Sequence, residues 1–338
     1  MTIHRVTPAM AALQAANRRK LGLLPLSTLT LALLLALPAA AQNQAPAKQD
    51  NSPAETSQTP TQLDAVQVTG SRVLGRTAEE TAAPVDIIGQ EELANTGAME
   101  VGQALQLLEP SFNFSRTTIS DGTDILRPAT LRALGPDQVL VLVNGKRRHQ
   151  QALVNVQQTI ARGSAGTDIN AIPISMIERI EVLRDGAAAQ YGSDAIAGVI
   201  NLILKEQTDH TDVSFLAGQT YEGDGRVLHG SVNTGFKLAD DGFINFSLEY
   251  RDREETNRAG PDSLRVNPPR VTQRIGDADA TDAYLWMNGE LPIGAGEFYW
   301  FGGVSRRKGD SSGFFRSAGD NRTIPALYPN GFLPNIIT

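Results

Sequence analysis

The chain has 338 residues, with 30 Lys and Arg against 37 Asp and Glu, which gives a formal net charge of −7. This acidic balance argues against nucleic-acid binding, which favours a basic surface. Because the chain has no cysteine, disulfides, Cys-ligated zinc, iron–sulfur clusters and thiol nucleophiles are excluded.

The first 41 residues have the three parts of an export signal. A basic segment precedes an almost wholly apolar run at residues 21–37, and the alanines at 39–41 form an A-x-A cleavage site. The alternative is a transmembrane anchor, but the run is short for a membrane span and Pro25 interrupts it. We therefore expect a cleaved signal peptide at residues 1–41 and export through the general secretion pathway.

The next two segments are a linker and an isolated strand. Residues 42–62 contain no aromatic or branched aliphatic residue, which predicts a flexible linker. Residues 63–72, LDAVQVTGSR, then have the β-branched residues of a strand. A strand without a hairpin neighbour needs a partner, either the sheet edge of another protein or the domain that follows. These residues alone favour neither partner.

From residue 80 to residue 205 the pattern is mixed α/β. Helices are predicted at residues 90–96 and 100–108, and strands at 84–88, 138–143, 177–183 and 198–204. The second helix has an apolar face formed by Val101, Ala104, Leu105 and Leu108. The second strand ends in Asn144-Gly145, a strong turn signal, and the third strand is predicted to alternate strictly between two faces.

After residue 205 the pattern changes to alternating strands separated by turns. Strands are predicted at residues 213–220, 227–238, 243–251, 283–291 and 297–306, with a long polar loop at 252–279 and another loop from 310 to 338. In the third strand the residues Ile244, Phe246, Leu248 and Tyr250 alternate with Asn245, Ser247, Glu249 and Arg251. Strands near ten residues, with short turns alternating with long loops, predict an outer-membrane β-barrel. A soluble β-sandwich shares the alternation.

Four segments, in this order, resemble parts of the TonB-dependent outer-membrane receptors. LDAVQVTGSR resembles the TonB box, and APVDIIGQEELANTGAMEVGQALQLLEPSF resembles the first strand and two helices of the plug domain. LRALGPDQVLVLVNGKRR resembles the arginine-glycine element and central strand of the plug, and residues 172–205 are similar to its most recognisable stretch. One departure is Ala133, since the family usually has glycine after Arg132.

The resemblance implies an α+β plug domain at residues 80–205, followed at residues 206–338 by the start of an antiparallel transmembrane β-barrel. Transporters with a plugged lumen have about 22 strands, far more than the five predicted here. An open sheet would also expose unpaired backbone groups to lipid. We therefore expect the barrel to be incomplete, and the chain to be a truncated gene product or a fragment.

The resemblance also implies a function: energy-coupled uptake of a scarce nutrient across the cell outer membrane, with ferric siderophores as the commonest substrate class. The expected contacts with TonB, the periplasmic partner of an inner-membrane motor complex, are Asp64, Ala65, Val66, Gln67 and Val68. The plug arginines Arg132 and Arg184 would pair with barrel-wall carboxylates and so lock the plug in place. The other interpretation of both arginines is ordinary solvation at a surface.

Two polar plug loops, at residues 111–128 and 146–170, are expected to face the ligand. Their candidate contacts are Arg116, Arg147, Arg148 and His149, whose positive charge suits an anionic iron chelate, although each also fits a solvated loop. No catalytic, metal or cofactor site is predicted, because the four histidines are scattered without metal-ligand spacing. Two other hypotheses are a periplasmic plug-only module that binds TonB without transport, and an inactive pseudogene product.

Overall fold

The computed structural model of the chain describes residues 85–113, 116, 118–119, 122–156, 161–184, 187–239 and 241–315. All of them belong to the unit Gln62–Thr338. The predicted signal peptide, linker and TonB segment (residues 1–41, 42–62 and 63–72) lie outside the described residues, as does most of the predicted final loop.

The plug combines a mixed sheet with short helices. Its elements are β1 (Val85–Gly89), α1 (Gln90–Asn95), α2 (Val101–Leu108), β2 (Phe112–Asn113), β3 (Thr130–Leu131), β4 (Val139–Val143), β5 (Lys146–Arg147), β6 (Ile177–Leu183), α3 (Ala187–Tyr191) and β7 (Gly198–Leu204). The main sheet has the order β1-β6-β7-β4-β5, in which only β4 and β7 run parallel. The predicted helices and strands of this region are present, with ends that differ by one or two residues.

Burial explains why these segments form these elements. All five residues of β4 are buried, as expected for a strand covered on both faces. The strand ends at Asn144 and Gly145, whose φ angles of 47° and 73° match the predicted turn. On α2, Val101, Ala104 and Leu105 are buried, which confirms its predicted apolar face.

The alternation predicted for β6 holds from Arg179 to Leu183 and is wrong at Ile177, which packs in the same apolar cluster as Ile180 and Val182. A register shift separates Ile177 from Arg179, and the four residues from Ile180 to Leu183 are all buried. The register shift moves Ile177 to the other face, and the run of buried residues arises because both faces of this strand are covered. Ile180 and Val182 pack in the larger apolar cluster with α1 and α2, whereas Leu183 packs in a second cluster on the opposite face.

The remaining strands form one antiparallel sheet in sequential order, which we call the wall. Its strands are β8 (Thr211–Gly218), β9 (Val227–Leu238), β10 (Gly242–Arg253), β11 (Asp279–Ile293) and β12 (Gly296–Asp310). The outer face is apolar, with Val213, Phe215, Phe236, Leu248, Leu285, Phe298 and Val304 exposed. The inner face packs on the plug and buries Asn233, Asn245, Ser247, Glu249, Arg251 and Asn288. Polar-inside, apolar-outside alternation is typical of a membrane barrel, and it confirms the faces predicted for residues 243–251.

The predicted bounds of the last hairpin are too short. Strands β11 and β12 pair without interruption from Asp279–Asp310 to Ile293–Gly296, where 283–291 and 297–306 were expected. At the turn, pairing continues through Pro292. At the other end, it continues through the charged residues near Asp279 and Asp310. The hydrophobic pattern had assigned both regions to turns and loops.

The arginine-glycine element keeps a left-handed backbone although it contains alanine. Arg132 and Ala133 have φ angles of 55° and 58°. A left-handed conformation costs a non-glycine residue roughly 1–2 kcal/mol. The departure at Ala133 therefore leaves the backbone turn in place and introduces local strain.

Replacing Ala133 with Gly is expected to raise the free energy of unfolding by about 0.5–1 kcal/mol, because the relief of strain exceeds the added entropy of the unfolded chain. Urea unfolding of the purified chain in detergent would measure it. Ala94→Gly in the exposed part of α1 is the matched control and should destabilise by up to about 1 kcal/mol. Destabilisation by both substitutions would contradict the strain at Ala133.

Candidate functional site

Glu100 lies at the N-terminus of α2 and points from the plug into the wall. Its Oε1 is 3.1 Å from Arg253 Nη1 and 3.6 Å from Arg251 Nη2, both on β10. Its Oε2 is 3.9 Å from Nη1 of Arg127 on the plug and accepts a hydrogen bond from Asn170 Nδ2 at 3.3 Å. One buried plug carboxylate is thus surrounded by three arginines.

The charge of Glu100 follows from this environment. Burial alone raises the pKa of Glu100, but the Coulombic attraction of Arg251, Arg253, Arg127 and Arg307 outweighs it and lowers the pKa to about 2. Glu100 is therefore ionised at neutral pH. Its negative charge compensates wall arginines that would otherwise be buried without a counter-ion.

A second group of charges extends the network from β10 to β12. Asp282 on β11 lies 2.7 Å from Arg251 Nη2 and also pairs with Arg307 of β12. Arg307 Nη1 reaches the plug at Asp168, 3.1 Å away, and Nη2 donates to the carbonyl of Asn170 at 3.1 Å. Three neighbouring wall strands and two plug segments therefore share one set of ion pairs.

The long loop between β10 and β11, residues 254–278, is tied to the plug in the same way. Arg274 Nη2 lies 2.9 Å from Asp124 Oδ2, and both side chains are buried, at 7% and 0% exposed. Asp277 of the loop pairs with Arg127 at 2.9 Å and with the more exposed Arg116 at 2.6 Å. Plug residues 122–128 are thereby fastened to this loop.

A fourth contact lies farther from the long loop, around Glu249 of β10. The backbone N–H and the hydroxyl of Ser175 on the plug donate to Glu249 Oε2 at 3.1 and 2.8 Å. On the other side, His229 Nε2 is 3.3 Å from Glu249 Oε1. This plug turn is held by a carboxylate of the wall.

Buried ion pairs are weak evidence for stability, because desolvation offsets much of their attraction. Removing one partner is costly, however, since it leaves an uncompensated buried charge. We therefore expect such a network to specify one position of the plug against the wall. The buried ion pairs hold the plug against the wall while both partners are charged and in contact, and separating the partners would release the plug.

The two arginines predicted to lock the plug make their described contacts within the plug. Arg184 Nε lies 2.8 Å from Asp86 Oδ2 of β1, and Arg132 Nη1 donates to the carbonyl of Arg184 at 2.8 Å. The structure brings Arg132 and Arg184 together, and their pairing with barrel carboxylates stays a prediction.

The predicted ligand-facing residues separate into two places. Arg147, Arg148 and His149 line a cavity of about 270 Å³ together with Asp137 and Asp194. Arg147 pairs with Asp194, and the guanidinium of Arg148 lies 5.5 Å from the ring centroid of Trp286. Arg116 does not join them, because it pairs with Asp277 of the long loop.

Sequence reasoning missed the carboxylate–arginine pairs that join the plug to the described strands. The expected pairs joined plug arginines to wall carboxylates. In the structure the plug instead supplies the carboxylates, and the wall supplies the arginines: Glu100 and Asp168 face Arg251, Arg253 and Arg307. One signal was available: Arg253 lies two residues after Arg251 and continues the inward face. The predicted strand stopped at residue 251 and placed Arg253 in a loop.

None of the helices in the described residues is long and apolar enough to cross a membrane. Among those residues there is also no group of three or more His, Cys, Asp or Glu that could hold a metal ion.

Comparison with known proteins agrees with this architecture. Residues 77–199 match the model of the TonB-dependent receptor plug domain. The chain is 29% identical over 245 residues to a probable TonB-dependent siderophore receptor, PirA of Acinetobacter baumannii, covering 72% of this chain and 31% of the relative. It is 31% identical over 186 residues to the vitamin B12 transporter BtuB of Vibrio cholerae, covering 55% and 27%.

A solved structure shares the fold. The mutant ferric enterobactin receptor PfeA of Pseudomonas aeruginosa, in complex with enterobactin, superimposes with a TM-score of 0.55 at 24% identity, covering 67% of this chain and 33% of that chain. The chain thus spans about a third of the length of the relatives that it matches. That family consists of receptors and transporters, not enzymes. From its plug domain, the strands that follow and these matches, the chain contains the plug domain of the TonB-dependent receptor family at residues 77–199 and is similar to those receptors beyond it.

Proposed function

We propose that the chain acts in a TonB-dependent receptor that takes up a scarce nutrient, with a ferric siderophore as the substrate class. The receptor would lie in the cell outer membrane after export by the general secretion pathway. The observation that carries the proposal is the wall, which is apolar outside and polar inside and holds a plug by buried ion pairs. A sheet with this inverted pattern suits a membrane on one face and a plug on the other.

The proposed substrate class rests on the relatives. A relative from A. baumannii is named as a probable siderophore receptor, and one from V. cholerae as a vitamin B12 transporter. Arg147, Arg148 and His149 line one cavity, but Asp137 and Asp194 line it too and Arg147 is paired with Asp194, so the charge of this cavity does not separate an anionic iron chelate from cobalamin. Binding of the purified chain to ferric catecholate siderophores and to cobalamin, measured by quenching of tryptophan fluorescence, distinguishes the two.

Energy coupling is proposed to enter at residues 64–68, which would add as a strand to a sheet of TonB. Backbone hydrogen bonds supply most of the affinity in this kind of pairing. Proline cannot donate such a bond.

Replacing Val66 with Pro is therefore expected to reduce siderophore uptake at least about tenfold, because it removes a backbone N–H from the pairing strand. Uptake is measured with radioactive iron in cells that express the receptor in which the chain is proposed to act. Siderophore binding and the amount of protein in the outer membrane should not change. Ser57→Pro, in the predicted linker, is the matched control, and equal uptake by the two variants would contradict the role of residues 64–68.

A further inference from the structure

Three arginines on the inner face of the wall are paired with carboxylates of the plug. Arg253 Nη1 lies 3.1 Å from Glu100 Oε1, and Arg251 Nη2 lies 3.6 Å from the same oxygen. Arg307 Nη1 lies 3.1 Å from Asp168 Oδ2. Each of these arginine side chains is at most 15% exposed. The plug therefore places two carboxylates against buried guanidinium groups of the wall.

The wall supplies less negative charge of its own to these arginines. Asp282 lies 2.7 Å from Arg251 Nη2 and also pairs with Arg307. Within the described part of the chain, the ion pair of Arg253 is the one with Glu100. If the plug carboxylates withdrew, three guanidinium groups would share one carboxylate in contact with them. An anion from outside the protein would restore the balance, because a buried charge without a counter-ion is costly.

Two acidic residues restrict the level at which such an anion fits. Glu249 precedes Arg251 by two residues on β10 and is buried on the same inner face. On the loop side, Asp277 lies two residues before the start of β11. Both repel an anion that leaves the level of the arginines. Because β10 and β12 are two strand spacings apart, about 10 Å, this level suits a large anion that carries several charged groups.

We propose that Arg251, Arg253 and Arg307 form a transit site for the anionic groups of the substrate. Glu100 and Asp168 occupy its two carboxylate positions while the plug is in place, and the substrate replaces them once the plug separates from the wall. This inference rests on the proposed function, and it assigns the site to an anionic chelate. The exchange keeps the guanidinium groups compensated, so an anion that binds only the separated state favours release of the plug.

The first test asks whether an external anion enters these positions. Glu100→Ala vacates one position, and formate is small enough to replace the lost carboxylate. During urea unfolding of the purified chain in neutral detergent, formate should raise the folding equilibrium constant of Glu100→Ala at least about fivefold relative to chloride at equal ionic strength. The wild type, whose position is filled, and Glu91→Ala, on the exposed part of α1, should change less than about twofold.

Asp168→Ala repeats the test beside Arg307, at a side chain that is more exposed than that of Glu100, 12% against 6%. It provides the result if Glu100→Ala folds in neither salt. Stabilisation by formate in one of the two variants supports the anion site. No gain over chloride in either variant would overturn it.

The second test separates passage of the substrate from holding of the plug. Asp168→Arg with Arg307→Glu exchanges the two charges, so that an ion pair remains but the wall presents a carboxylate to the substrate. In cells that express the receptor in which the chain is proposed to act, uptake of a ferric catecholate siderophore should fall at least about tenfold. Siderophore binding and the urea midpoint should not change. Arg226→Glu with Glu254→Arg exchanges an exposed pair and is the matched control, with uptake within about twofold of the wild type.

Unchanged uptake after the exchange of Asp168 and Arg307 would overturn the transit role. A fall in uptake together with a lower urea midpoint would also overturn it, because the exchange would then disturb only the hold on the plug. The formate test does not depend on uptake. If the wild-type receptor takes up no siderophore, the transport proposal and the transit role fail together, whereas formate still shows whether the wall binds an anion.

Discussion

Replacing Glu100 with Gln is expected to lower the free energy of unfolding of the chain by about 3–5 kcal/mol. Glutamine keeps the size of the side chain but removes the negative charge shared by Arg251 and Arg253 of the wall. Those guanidinium groups would stay buried with less compensation, which costs more than the lost attraction itself. Urea unfolding in detergent micelles, followed by the fluorescence of the buried Trp286, measures the change where the plug meets the wall.

A matched control separates this effect from a general loss of acidic charge. Glu91 is exposed on α1, close to Glu100 in the sequence. Glu91→Gln should change the free energy of unfolding by less than about 0.5 kcal/mol. Similar stabilities for the two variants would contradict the role of Glu100 as the counter-charge of the wall arginines.

The pH dependence provides a second test of Glu100. Its pKa is lowered from 4.5 to about 2 in the folded chain, so its contribution is fully present above pH 4.5 and is lost as the pH falls towards 2. The shift corresponds to about 3 kcal/mol. Burial raises the pKa of Asp168, although Arg307 lowers it, so the contribution of Asp168 to stability grows as the pH falls. Both proteins contain Asp168, so their stability difference reports on Glu100. The stability difference between the wild type and Glu100→Gln should therefore shrink between pH 4.5 and pH 2.

Local pattern predicted most elements of the fold. The runs that form β4 and β7 and the apolar face of α2 depend on residues close in sequence, and the structure has them where the pattern placed them. The wall faces were predictable for the same reason, because alternation has a period of two. The exception was β6, whose burial depends on which elements cover each face, and no local pattern contains that information.

The candidate site was much less predictable than the fold. Glu100 and Arg253, whose side chains are joined by a hydrogen bond, are 153 residues apart. No spacing rule links the N-terminus of a plug helix to the end of a wall strand. The resemblance directed attention to Arg132 and Arg184, which lie together on the plug, whereas the described interface depends on carboxylates that sequence reasoning did not single out.

Replacing Asp124 with Asn is expected to release the loop of residues 254–278 from the plug. Asp124 is completely buried and pairs with the buried Arg274, so neutralising it leaves a guanidinium whose remaining ion-pair partner among the described residues is the more exposed Glu255. A cost of about 3 kcal/mol for local opening raises the population of the open loop roughly 100-fold. Trypsin should then cleave after Arg258, Arg265 or Arg270 about 100-fold faster, measured under conditions in which the loop recloses faster than it is cut.

The matched control for this change is Asp194→Asn. Asp194 also pairs with an arginine, Arg147, but both side chains are about half exposed. An exposed ion pair contributes at most about 1 kcal/mol, and this one lies outside the loop, so cleavage in the loop should change less than threefold. Rapid cleavage of the Asp124→Asn chain, with the urea midpoint of Trp286 fluorescence nearly unchanged, would show that the loop opens while the plug stays in the wall. A large fall in that midpoint would instead mean that Asp124 and Glu100 belong to one cooperative unit, and that loop and plug leave the wall together.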